Sequence, residues 1–517
     1  MTSWTDLSEW SASEIARRIT ARQISAREVC RAYVGRCEAV NPQINAFTWK
    51  RFEQAISEAT VIDEQIARGE SVGPLAGVPI TIKDCFHVAG STACIGLSSL
   101  KDEVSPETGV LVKRLQRAGA VILGKTNVPQ LMILHECDNP VFGRTNNPWN
   151  LERTCGGSSG GEAAIIAAGG SPLGLGNDLG GSIRIPAHFS GIAGLKPTSR
   201  RLTNAGIRSN FRGFEAIIGA AGPLARHVED LDLALRVLAD HSDGESLHEI
   251  EPWPLHDFRE VDLSKLRIGI WLEDGYLPVS PAVKRAVKEA AAVLTKAGAT
   301  VDEFRFAHGA EILDLYVALI EADGCADLRR IASDSKLDWR VSRMMMAGGL
   351  NRLSRAVLVT GMRLLGQKYL AQLFQEARPR STDEFWKLVR RRDELQASFR
   401  DRFAAGRFDA ILSPPHALPA PQHGKPIDLV SAASWAFLPN LLGWPAGVVL
   451  ATTVQADEQD SRPASRDQVL KQAKAVDAGS GGLPSGAQVF APPWREDTVL
   501  AVMAAIERGV PRLRATI

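Results

Sequence analysis

None of the seven cysteines, at 30, 37, 85, 94, 137, 155 and 325, stands in C-x-x-C spacing to another. A zinc ribbon or a thioredoxin-like redox pair is therefore unsupported, and an odd, scattered set fits a reducing compartment better than a disulfide framework. A dominant charge is missing as well. Against 60 Lys and Arg stand 59 Asp and Glu, so the net charge of +1 points neither to nucleic acid nor to an acidic partner. No internal repeat of fixed period is visible. Asp6, Glu9 and Glu14 precede any apolar run, which argues against a signal peptide. One charge-free stretch, Leu429 to Ala456, is long enough to span a bilayer. Pro439, Asn440, Gly443, Pro445 and Gly447 break it, and its longest clean part, Val448 to Val454, has strand length. The expectation is a soluble, cytoplasmic chain.

What is present is ordinary globular composition, 45% hydrophobic and 23% charged. A chain of 517 residues buries on the order of 75% of its unfolded surface, so no metal or disulfide is needed to hold its core. Ser11-x-x-Glu14 is a capping box that opens an amphipathic helix, and further helices are expected over Ala26–Val40 and Phe52–Arg68. Then the texture alternates. Gly77–Lys83 is a short β-branched strand, Val110–Ala118 a helix, Val121–Leu123 a strand, and Ala163–Ala168 a helix behind a glycine cluster. Residues 225–400 are mainly helical with one strand at Leu266–Trp271, and residues 408–454 return to short strands among prolines. Gln455–Ser480 is polar and reads as a mobile surface loop. Length alone suggests about three domains. Strands on both sides of a helical middle instead indicate one α/β sheet with a helical insertion.

Two motifs are decoys. Gly119-Ala-Val-Ile-Leu-Gly124-Lys125-Thr126 fits the P-loop pattern, but the strand lies between the glycines instead of before them. Gly157-Ser158-Ser159-Gly160-Gly161 fits the G-x-S-x-G elbow, whose nucleophile would be Ser159, yet residues 147–153 upstream are polar and Pro-broken. What remains is a pair of glycine-bracketed serine loops. Cys155-Gly156-Gly157-Ser158-Ser159-Gly160-Gly161-Glu162 is one, and Gly176-Asn177-Asp178-Leu179-Gly180-Gly181-Ser182-Ile183-Arg184 is the other. Flexible linkers would not alternate in this way with apolar segments.

This stretch resembles the amidase signature family of serine hydrolases. Within that family, Gly169–Gly176, Thr126–Gln130 and Asn147–Trp149 are most similar to the lipid-amidase branch. The resemblance is dense over about 73–232 and returns at 438–454 and 482–496, whereas 240–400 matches poorly. It implies a single amidase-signature domain over 1–517, a twisted mixed β-sheet covered by helices on both faces. The signature core would span about 73–232, a mainly helical insertion about 273–400, and a sheet-completing C-terminal part about 408–510.

The resemblance also implies a Ser-cisSer-Lys triad in place of Ser-His-Asp. Ser182 is the expected nucleophile, Ser158 the bridging serine behind a cis Gly157–Ser158 peptide, and Lys83 the general base. The spacings, 24 residues between the serines and 99 from Lys83 to Ser182, agree with the family. A serine hydroxyl needs an adjacent base, and lysine serves only when burial lowers its pKa of about 10.4. The Leu179, Gly180, Gly181 and Ser182 amides are the expected oxyanion hole. Asp178, Arg184 and Ser159 are expected to orient the loops, and Met132, Ile133 and His135 to line the acyl path or pack in the core. No cofactor and no metal are implied.

The implied reaction is hydrolysis of a carboxylic amide, with fatty acid or aryl amides the expected substrates, through an acyl-enzyme. Two rivals stand beside it: the glutaminase-type A subunit of a tRNA-dependent amidotransferase, and a binding homologue without turnover. A homodimer is within the expectation. Residues 339–375 carry Arg340, Arg343, Arg352, Arg355, Arg363 and Lys368 and no acid, with Leu350, Leu353, Val357, Leu364 and Leu365 near one helical face. That pattern fits either peripheral contact with an anionic membrane or a helix packed on the core.

Overall fold

A computed structural model of the chain describes residues 7–209, 211, 214–245, 250–511, 513–515 and 517. Its centre is an eleven-stranded mixed sheet flanked by helices. The strands are β1 (Phe47–Lys50), β2 (Pro79–Lys83), β3 (Val121–Thr126), β4 (Leu173–Asp178), β5 (Ala193–Lys196) and β6 (Ala220–Ala225). After these come β7 (Arg267–Ile270), β8 (Thr300–Glu303), β9 (Ala410–Ser413), β10 (Ala446–Thr453) and β11 (Pro484–Phe490). Across the sheet the order is β1-β3-β2-β4-β6-β5-β10-β11-β9-β7-β8. The site grows from the parallel trio β3-β2-β4, in which Ile82 lies opposite Lys125 on one side and Leu175 on the other.

Local sequence explains the trio. Every residue of β2 is buried, as its β-branched run requires, and the strand delivers Lys83 to its carboxyl end. The glycines of β4 have a packing role. A Cβ at Gly174 would strike the Glu162 carboxyl, and one at Gly176 would come within 2.8 Å of Ser159 Oγ. Their absence of side chains lets the fully buried start of helix Gly160–Ala167 lie directly on the sheet.

Several expectations change. The helical middle contributes β8 to the sheet beside the expected strand β7, so it is more than an excursion of helices. Helix Ala26–Ile44 outruns its expected end, with Pro42 in its last turns. The stretch expected to be a mobile loop holds helix Gln468–Asp477, because Val469, Ala473 and Val476 share one buried face. Residues 429–456 fold into a buried helix, Ser434–Leu442, and β10. Among the described residues no helix is long and apolar enough to cross a membrane.

The segment 339–375 is three helices, Trp339–Gly349, Arg352–Leu364 and Lys368–Glu376. Leu353, Val357, Leu364 and Leu365 point outward at 67–83% exposure, so the apolar stripe does not pack on the core. Its cationic side needs correction. Arg355 is buried and donates to the carbonyls of Phe374, Ala347 and Leu350. Arg340 is buried against Glu136, Asp138 and Asp338, and Arg343 pairs with Asp428. The acids missing from the segment come from elsewhere in the fold. Only Arg352, Arg363 and Lys368 remain on the surface.

Candidate active site

Lys83 is fully buried, and its Nζ donates to Ser158 Oγ at 2.7 Å, Ser159 Oγ at 2.9 Å and Asn177 Oδ1 at 2.7 Å. Three acceptors match the three N–H bonds of an ammonium. Burial nevertheless lowers its pKa to about 8, outweighing the attraction of Cys85 and Asp178. Near neutrality this lysine is therefore close to giving up a proton. Once neutral it keeps two N–H donors and gains a lone pair aimed at a serine hydroxyl.

Ser158 follows a cis Gly157–Ser158 peptide, the isomer expected from the resemblance. Gly157 has no room for a side chain, since a Cβ would strike the Leu134 carbonyl and approach Glu136 N at 2.8 Å. Ser159 caps helix Gly160–Ala167, and its N–H donates to Ser182 O at 3.0 Å, tying the two serine loops together. One turn into that helix, the buried Glu162 carboxyl accepts from Thr81 Oγ1 on β2 and Thr126 Oγ1 on β3. Burial pushes this carboxyl up to about 8.

The second loop is pinned from below. Burial alone would raise the Asp178 carboxyl, but Arg184 and the Ile183 N–H hold it well below the usual range. Asp178 accepts from Gly181 N at 2.8 Å, Ile183 N at 3.0 Å and the Arg184 guanidinium at 2.9 and 3.1 Å. Arg184 bonds Gln488 in turn, so the fully buried ion pair is closed on both sides. This anchoring corrects one expectation: the Gly181 N–H is taken by Asp178. The Gly180 and Ser182 amides make no hydrogen bond among the described residues. Gly181 sits at φ +90°, a conformation that glycine adopts freely and that turns the loop toward Ser182.

Ser158 and Ser182 open onto a cavity of ≈ 180 Å³, which Met132, Ile133 and His135 border. Burial lowers His135 to about 4, so its ring is neutral, and Nε2–H donates to the Gly180 carbonyl at 2.9 Å. It positions the loop and faces no serine hydroxyl. The elbow reading fails on the same ground, since Ser159 Oγ meets Lys83 and no histidine. Its upstream segment is a short hairpin, Asn146–Asn147 with Asn150–Thr154, outside the main sheet. In the P-loop decoy, Gly124, Lys125 and Thr126 lie inside β3, and Lys125 Nζ donates to the Thr92 carbonyl.

Sequence reasoning missed three groups. Asn177, next to the anchoring aspartate, is the third partner of Lys83, and its place at the end of β4 beside β2 was the available signal. Tyr316 donates to Leu179 O at 3.3 Å and stacks on Phe437 with centroids 3.9 Å apart. Nothing local marks either ring.

The mixed sheet thus holds a buried lysine beside two serine loops. Residues 28–500 match the Amidase family, and the chain belongs to it. Fatty-acid amide hydrolase 1 of Sus scrofa is 32% identical over 503 residues, covering 96% of this chain and 85% of that protein. The glutamyl-tRNA(Gln) amidotransferase A subunit of Carboxydothermus hydrogenoformans is 40% identical over 321 residues, covering 62% of this chain and 65% of that one. A solved structure of fatty acid amide hydrolase superposes with a TM-score of 0.85 at 26% identity, covering 98% of this chain and 86% of that one. The protein is an amide-hydrolysing enzyme.

Proposed function

We propose that the enzyme hydrolyses amides of long-chain or aryl carboxylic acids, with Ser182 as nucleophile, Ser158 as proton relay and Lys83 as base. The observation that carries this reading is the 2.7 Å contact between fully buried Lys83 Nζ and Ser158 Oγ, beside the cavity that Ser182 borders. Ser182 Oγ attacks the amide carbon as its proton passes to Ser158 Oγ and the Ser158 proton passes to neutral Lys83. The negative carbonyl oxygen is held by the Leu179, Gly180 and Ser182 amides. Such donors act in a dry site without having to reorganise. Collapse expels the amine, which receives the proton back through Ser158. Water then attacks the acyl carbon as its proton passes through Ser158 to Lys83, and the Ser182–acyl bond breaks, Ser182 Oγ taking that proton back as the carboxylate leaves. The cavity is lined chiefly by apolar side chains, among them Met132, Phe211, Tyr316, Leu373 and Phe437, which favours a long acyl or aryl group over an acetyl.

Fluorophosphonate labelling tests the nucleophile. Wild type should label on the peptide containing Ser182, and Ser182→Ala should not; a label on Ser159 would defeat the assignment. Equal kcat/KM for acetamide and long-chain amides would remove the substrate class. The amidotransferase reading rests on a match to 62% of the chain against 96% for the lipid amidase. Co-purification of a stable partner of different sequence would revive it, whereas a single homomeric peak supports the hydrolase. For delivery of an acyl chain, the exposed Leu353, Val357, Leu364 and Leu365, with Arg352, Arg363 and Lys368 around them, suit contact with an anionic bilayer.

A further inference from the structure

The cavity wall carries one group that this chemistry does not use. Glu321 caps helix Ile312–Ile320, is 7% exposed and borders the same cavity as Ser158 and Ser182. Among the described residues its carboxyl receives a single hydrogen bond, from Cys325 Sγ to Oε2 at 2.6 Å, and a thiol is a weak donor. Oε1 receives none. The nearby cations are already engaged. Arg355 donates to three or more backbone carbonyls, Arg329 to those of Met345 and Gly324, and Arg343 pairs with Asp428. The cavity that Glu321 borders is also lined by Val317, Ile320, Leu328, Leu373 and Phe374, with Arg343 the cation on its wall. A buried acceptor without a strong donor costs free energy, and here the missing partner can come from whatever fills the cavity.

We propose that Glu321 is a specificity residue that accepts a hydrogen bond from a hydroxyl carried partway along an otherwise apolar acyl chain. The inference rests on the amidase reading and names a substrate subclass for that site. Tyr316 reaches Leu179 beside the nucleophile loop, and Glu321 lies five residues further along, about 7.5 Å of helical rise. A hydroxyl that meets it therefore sits several carbons from the scissile carbonyl. Burial pushes the carboxyl up to about 7, so both protonation states are populated near neutrality. A hydroxyl serves both, since it donates to a carboxylate and accepts from a carboxylic acid, whereas an ammonium serves only one.

The test compares an unsubstituted long-chain primary amide with amides bearing one hydroxyl, moved a carbon at a time along the chain. Two readouts are taken: kcat/KM with wild type, and Kd with Ser182→Ala, which needs no turnover. At one or two positions the hydroxylated amide should be favoured by about tenfold in both, the effect of one good hydrogen bond. Glu321→Leu should reverse the order and favour the plain chain, and Glu321→Met offers a second apolar replacement if leucine does not fold. No preference in wild type at any position overturns the proposal, as does a preference that survives unchanged in Glu321→Leu. Absence of all turnover with the Kd preference intact would sink the amidase reading and leave the hydroxyl contact standing.

Discussion

The floor of the cavity and its wall are built by different rules. On the floor, around Lys83, Ser158 and Asp178, polar groups meet partners at 2.7–3.1 Å, and the residues come from two short glycine-rich stretches and one strand end. On the wall, from Ile312 to Glu376, a carboxyl stands half-bonded, and leucines of the adjoining helices face solvent. A closed network fixes geometry, as stabilisation of a developing charge requires. The open wall leaves room for the substrate to supply contacts. The contrast teaches that chemistry and selectivity are carried by regions with different tolerance of change.

Breaking the floor should have the largest effect. Ser182→Ala and Lys83→Ala should each lower kcat/KM by at least about 10³, given that a positioned base contributes about 10²–10⁴. Lys83→Arg should not rescue, because guanidinium stays protonated. A Lys83→Ala enzyme within tenfold of wild type would remove that lysine from the mechanism. Asp178→Ala should come next, leaving the buried Arg184 uncompensated at a cost of about 3–5 kcal/mol, read as a fall in Tm and in denaturation midpoint.

The pH profile sharpens the comparison. Lys83 acts when neutral, so kcat/KM should rise with pH toward about 8 and level off above it. A flat profile through that range would contradict a lysine base. Glu162 gives the opposite sign in stability. Its carboxyl is raised from 4.5 to about 8, so between those values the native state keeps a proton that the unfolded chain has lost. Stability should therefore fall as pH rises through that window, and Glu162→Gln should flatten the Tm curve there. An unchanged slope would remove Glu162 as its source.

Changes on the outer wall should be smallest in stability. Arg352→Glu with Arg363→Glu alters exposed side chains and should move stability by no more than about 0.5 kcal/mol. The same pair should weaken co-sedimentation with anionic vesicles at low salt. Unaltered binding, or none in wild type, would exclude this face as a membrane contact.

The sequence alone was enough for the alternation of strands and helices and the rejection of the P-loop, which rest on short-range properties such as a β-branched run and the place of a strand between two glycines. The proposal of Lys83, Ser158 and Ser182 came from the resemblance of the glycine-bracketed serine loops to a known signature. Tertiary structure alone decided which N–H groups remain free, since Asp178 reaches forward to take the Gly181 amide. It also separated Arg355 from its neighbours Arg352 and Arg363, turning one cation of the stripe inward to bind carbonyls. Likewise, Tyr316 and Glu321 joined the cavity by folding from a segment that no spacing rule connects to the serines. Periodicity and backbone freedom are written along the chain, whereas burial and the partner of a polar atom exist only after distant segments have packed.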